Sequence, residues 1–167
     1  MDPLLLGVLF ILFLCLLGLS WFAGTDAPYV ATKMQLIKNV LKLAGVKKGS
    51  TFYELGSGDG RVVIAGALLG AKSYGIEQSW LRVWYSRFKA KKLKLKNAHF
   101  YHGDIFQRQY FPADIIYIYL LPGGIEKLEK KLKKELKKGA VVITQTYHFK
   151  FWKPYKSLGN FNLYKKV

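Results

Sequence analysis

Leu4 to Phe22 is a run of nineteen residues without a charged side chain, about the length that crosses a bilayer core of roughly 30 Å. Trp21 and Phe22 close it, where an interfacial aromatic belt would sit. Asp2 precedes it with no lysine or arginine, and no small-x-small cleavage site follows, which argues against a cleaved leader. The pattern predicts one transmembrane anchor within residues 1–22. Ala23 to Thr32, with Gly24, Asp26 and Pro28, reads as a linker. Ten residues reach at most roughly 33 Å, so the rest of the chain is expected to stay beside the bilayer.

Beyond the linker the apolar period changes repeatedly. Met34, Ile37, Val40 and Leu41 make one face of a helix that Thr32 can cap and Gly45 can end. Thr51 to Leu55 reads as a strand, Gly56 to Gly60 as a glycine turn, and Arg61 to Leu69 as a helix. Ser73 to Glu77 is a second strand, Trp80 to Lys94 a helix, Ala98 to Tyr101 a third strand and Asp114 to Leu120 a fourth. Ile125, Leu128, Leu132 and Leu136 stripe another helix, with Glu126–Lys130 and Glu129–Lys133 as solvated i,i+4 pairs. Ala140 to Thr146 is a fifth strand, and Tyr155 to Lys166 suits an antiparallel hairpin about Leu158-Gly159-Asn160. Strands alternating with helices predict an α/β class, a doubly wound and mostly parallel sheet. Residues 23–50 form a linker and first helix, and residues 51–167 the main domain.

Charge adds the next constraint. The chain carries 27 basic and 10 acidic residues, and Asp2 is the one charge before Lys33. The surplus lies wholly after the apolar run, which favours a cytoplasmic location for the domain of a single-pass membrane protein. It also favours anionic partners: nucleic acid, anionic lipid or an acidic protein face. Cys15 is the single cysteine, so one chain has no disulfide framework or cysteine zinc site. His99, His102 and His148 have no metal-ligand spacing, and no metal is expected.

The chemistry concentrates in Glu54-Leu55-Gly56-Ser57-Gly58-Asp59-Gly60-Arg61, at a strand-to-helix turn. Glycines let the backbone turn tightly and approach a ligand, and the helix start behind them attracts an anion. Glu77, 21 residues after Gly56 at the end of the second strand, suits a ribose diol. A dinucleotide fingerprint would need a third glycine where Arg61 stands. Glu54 instead suits a cationic ligand such as S-adenosylmethionine (SAM), which carries a sulfonium and an ammonium. From Gln78 to Gly103 there are seven basic residues and no acid. Glu54, Asp59, Glu77 and Asp104 nevertheless all fall at strand ends or the turns after them, the edge that forms the ligand crevice of an open α/β sheet.

Glu54 to Arg61 resembles motif I of the class I SAM-dependent methyltransferases, whose sheet is Rossmann-like. More narrowly, the apolar run, Pro28-Tyr29-Val30-Ala31-Thr32, Trp84-Tyr85-Ser86-Arg87 and, loosely, Gln145 to Pro154 are similar to the membrane-anchored lysine methyltransferases of the ATP synthase c subunit and the adenine nucleotide translocase. The resemblance implies SAM as cofactor, with S-adenosylhomocysteine as product. It implies that Glu54, Gly56, Gly58 and Asp59 hold the methionine part, Glu77 the ribose and Asp104 the adenine amino group. Ser57, Gly60, Gln78 and Ile105 complete the expected contacts, and the segment around Tyr29 folds over the cofactor. The family usually has proline at Ala31 and commonly aspartate at Glu54.

Tyr119-Leu120-Leu121-Pro122, ending the fourth strand, is where such enzymes present the acceptor. Tyr119 is the candidate for orienting an amine, with Thr144, Thr146 and Tyr147 behind it. The expected reaction is methylation of a lysine on a membrane protein near the cytoplasmic leaflet. An RNA methyltransferase, a small-molecule or lipid methyltransferase, and a non-catalytic SAM-binding module are the alternatives.

Overall fold

A computed structural model describes residues 2–22 and 33–167. Twelve elements follow one another: α1 (Pro3–Phe22), α2 (Met34–Leu43), β1 (Thr51–Leu55), α3 (Arg61–Leu68), β2 (Lys72–Glu77), α4 (Trp80–Lys92), β3 (Ala98–His102), β4 (Ile115–Ile118), α5 (Pro122–Glu135), β5 (Val141–Gln145), β6 (Lys156–Leu158) and β7 (Phe161–Lys165). Each lies within a few residues of its expected place. Thr32 and the 23–32 linker, Tyr29 included, fall outside the described residues.

One expectation is corrected. The first helix forms, but among the described residues no helix is long and apolar enough to cross a membrane. The transmembrane anchor, the bilayer as a partner of residues 4–22, and the single-pass membrane location are therefore not upheld.

The seven-stranded sheet has the order β3-β2-β1-β4-β5-β7-β6. The first five strands pair in parallel, while β7 runs antiparallel to β5 and β6 to β7. This is the mixed sheet that the alternation and closing hairpin required. Chain direction along the sheet reverses between β1 and β4, and that switch point opens a crevice at the strands' carboxyl ends.

Apolar layers cover both faces. Ile37, Val40 and Leu41 of α2 are fully buried with Phe52, Val62, Tyr117, Ile143 and Leu163. The first helix after the linker therefore belongs to the body of the domain, not to an outlying segment. Gly66 lets α3 lie close on the sheet: a Cβ there would stand 2.7 Å from Phe52 Cδ1 and 2.8 Å from Ser73 Oγ. Across the sheet, α5 buries Ile125, Leu128 and Leu132 against Ile116, Ile118, Val142 and Tyr164.

The β3–β4 connection contains no helix. Beneath it an aromatic ladder crosses three strands, Tyr53 on Tyr74 with ring centroids 4.8 Å apart and Tyr74 on His99 at 5.2 Å. Glu129 departs from its expected solvated place. It is 2% exposed, and its carboxylate accepts hydrogen bonds from the N–H groups of Lys150 (3.0 Å) and Phe151 (2.8 Å). The helical stripe predicted which face of α5 packs, but not that a loop 20 residues later would supply donors there.

Candidate active site at the switch point

Gly56, Gly58 and Gly60 carry the turn after β1 with φ of 80°, 51° and 75°. Gly60 also has no room for a side chain, since a Cβ would lie 2.6 Å from Phe100 Cε1 and 2.7 Å from Ser86 Oγ. The N–H groups of Gly56 and Ser57 both donate to the Ile76 carbonyl at 2.9 Å, tying the turn to β2. Ser57 keeps its hydroxyl buried against Gly75 of β2, without a hydrogen-bond partner. The turn thus offers its backbone rather than this side chain.

Glu77 closes β2, is 5% exposed, and accepts from Gly58 N–H at 2.9 Å and Ser79 N–H at 3.0 Å. Arg82 approaches the same carboxylate at 3.9 Å. Its neighbour Gln78 is exposed. Beyond β3, Asp104 is half-buried and accepts from Phe106 N–H at 2.8 Å, while Ile105 is buried. Trp80 stacks on His102 with centroids 4.0 Å apart, placing an aromatic pair beside the same edge.

Two acids at the turn have opposite environments. Asp59 accepts two side-chain hydrogen bonds from Arg61 at 2.9 Å each, and Lys89 approaches at 3.1 Å. Burial raises its pKa, but those hydrogen bonds and charges outweigh burial and hold it below the ordinary carboxylate value. Its charge is already answered by the protein. Glu54 is 6% exposed and accepts from Val63 N–H at 3.1 Å. Burial pushes its pKa well above normal, and the charges of Asp59 and Glu77 push the same way. A buried carboxyl with a raised pKa is stabilised in its charged form by a cation brought beside it. The ammonium of SAM is such a cation, so the residues present fit that cofactor.

The residues expected on the acceptor side lie on β4 and β5 or just after them. Tyr119 is half-buried with its ring against the α2–α3 core, so packing accounts for much of its position. Sequence reasoning missed the pairs around it. Tyr117 OH donates to Gln145 Oε1, both residues being buried, and Thr144 Oγ1 meets His148 Nδ1 at 2.7 Å. Tyr117 reads as core in an apolar strand, and only a polar Gln145 ending the next strand signals its partner. Tyr147 is exposed, one residue past Thr146.

The ANTKMT methyltransferase domain family matches residues 54–156, from Glu54 into the strand after the 148–154 loop. The human lysine N-methyltransferase of the ATP synthase c subunit is 36% identical over 76% of this chain and 54% of its own length. The chain belongs to the ANTKMT methyltransferase family. It spans only about half to three fifths of the vertebrate c-subunit methyltransferases it matches first, between 53% and 61% of their length. A protein-lysine N-methyltransferase of Saccharolobus islandicus is 30% identical over 76% of this chain and 81% of its own. Among solved structures, an RNA methyltransferase from Salinibacter ruber in complex with S-adenosylhomocysteine superposes with a TM-score of 0.75. It is 32% identical, with 82% of this chain and 92% of that one covered. The matched region includes both the turn that carries Glu54 and the strand that ends in Glu77.

Proposed function

We propose that this chain transfers a methyl group from SAM to the side-chain amine of a lysine on a membrane protein. The supporting observation is its family: relatives named as lysine N-methyltransferases match three quarters of the chain, including the turn that carries Glu54. When bound, SAM supplies a methyl carbon on a sulfonium, already attached to a good leaving group. The residues then have to position and desolvate.

Glu54 pairs with the ammonium, and the backbone of Gly56 and Gly58 follows the methionine part. Glu77 accepts from the ribose hydroxyls with the oxygen capacity left beside Gly58 and Ser79. Asp104 accepts from the adenine amino group, with Ile105 and Gln78 flanking the ring. Ser57, Asp59 and Gly60 act by shaping the turn rather than by direct side-chain contact. On the acceptor side, a lysine with a reference pKa of roughly 10.4 must arrive neutral. A nitrogen–carbon bond would form as the carbon–sulfur bond breaks, leaving S-adenosylhomocysteine and a methylated ammonium, the one proton having left the lysine beforehand.

The test is to incubate the full chain, isotope-labelled SAM and membranes, then digest and locate the label by mass spectrometry. Methyllysine on a membrane protein is expected. Label on RNA alone, or on lipid or small molecules alone, would overturn lysine transfer.

A further inference from the structure

Thr146, the residue after β5, has φ of 64°. A β-branched residue rarely adopts that conformation, and strain of this kind gathers where a site over-determines the backbone. The N–H of Tyr147 donates to the carbonyl of Gln145 at 2.7 Å. With the positive φ between them, these atoms form the tight three-residue γ-turn, the rare and strained form. A connection alone has no need of it.

Two bonds from the closing hairpin impose the turn. Thr146 N–H donates to the Asn160 carbonyl at 2.8 Å, and Asn160 Nδ2 donates to Thr146 Oγ1 at 3.2 Å. Asn160 follows Gly159 in the β6–β7 bend. Immediately before the turn, Gln145 is 3% exposed and bonded to Tyr117. Tyr117 lies opposite Glu54 in the β1–β4 register and so shares its face of the sheet. The strained turn is thus two strands from Glu54, about 10 Å at ordinary strand spacing, at the carboxyl edge.

We propose that Thr146 and Asn160 are positioning residues for the acceptor amine. By bending the chain out of β5 at that point, they set Gln145, and through it the Tyr117 hydroxyl, at the wall of the crevice where the amine must line up with the methyl carbon. Asn160 touches neither cofactor nor acceptor and acts through Thr146. This rests on the lysine-transfer reading above.

The full chain and three variants, Thr146→Gly, Thr146→Ser and Asn160→Ala, are compared with membranes as the varied acceptor at saturating SAM. SAM affinity and melting temperature are measured alongside. Glycine accepts positive φ freely, so Thr146→Gly should melt no lower than wild type and bind SAM within twofold. Its saturated rate should nevertheless fall about tenfold, because the turn is no longer fixed. Asn160→Ala should lose rate to a similar extent with SAM affinity unchanged, and Thr146→Ser, which keeps the hydroxyl, should retain at least half. Wild-type rates in Thr146→Gly and Asn160→Ala would overturn the proposal, as would losses of SAM affinity and melting temperature that match the loss of rate. Absence of label from wild type would defeat lysine transfer and this proposal with it. Label from wild type with unimpaired variants defeats this proposal alone.

Discussion

Replacing Glu54 by glutamine keeps the size of a fully buried side chain and removes its ability to carry charge. An ammonium about 4 Å from a carboxylate gains about 4 kcal/mol at an effective dielectric near 20. Part of that gain is spent ionising a carboxyl whose pKa burial, Asp59 and Glu77 push well above the ordinary value. A net loss of about 2–3 kcal/mol is expected, or SAM binding roughly 30- to 150-fold weaker. The raised pKa adds a sign. Without ligand, Glu54 favours the folded state fully below its unfolded value near 4.3, and that contribution is lost as pH rises through the folded value. Cofactor binding pulls the group to its ionised form, so it releases a proton, and affinity should rise with pH across that window. Isothermal titration in buffers of low and high ionisation enthalpy reads both quantities. Binding by Glu54→Gln within threefold of wild type, together with a wild-type heat that does not depend on buffer, would refute the electrostatic account.

Glu129→Leu should cost about 3 kcal/mol in urea unfolding, because the Lys150 and Phe151 N–H groups lose a charged acceptor; Glu129→Gln, which keeps one oxygen, should cost about half. Gly60→Ala should cost about 2–3 kcal/mol and weaken SAM binding, since a Cβ would meet Phe100 at 2.6 Å on a backbone at φ 75°. For Asp114, burial raises the pKa, but Lys137 at 2.6 Å and the Thr51 N–H at 2.7 Å outweigh it and leave the value lowered. Asp114 is 38% exposed, so Asp114→Asn should cost under about 1 kcal/mol at neutral pH, with the difference vanishing as pH falls through the folded value. Equal urea midpoints for wild type and Asp114→Asn at pH 7 would remove that pair from the account.

Local chemistry made much of the fold legible. Thr51 to Leu55 and Glu77 show their demands in their own side chains and the glycines between them in the lack of one, and the β1–α3–β2 unit follows the pattern. Contacts between distant segments were less visible. Glu129 reads as a solvated partner of Lys133 until the 149–151 loop folds onto it. Asp59 and Glu54 look alike in sequence, and only Arg61 and Lys89 converging on one of them separate their roles. The Tyr117–Gln145 bond joins residues 28 apart, and the γ-turn at Thr146 depends on a hairpin that begins ten residues later. The apolar run gave the first helix, but helicity and low charge do not by themselves establish a bilayer span.

The rings of Tyr53, Tyr74 and His99 lean on one another where a doubly wound sheet ordinarily carries a helix. A helix docks or departs as a unit, whereas these rings are anchored singly on three strands already joined by backbone bonds. The chain thereby covers one face of β1, β2 and β3 with a handful of side chains instead of a dozen residues. The loop above is pinned to them by Tyr110, which is 0% exposed and sets its ring edge-on to Tyr53 at 5.7 Å.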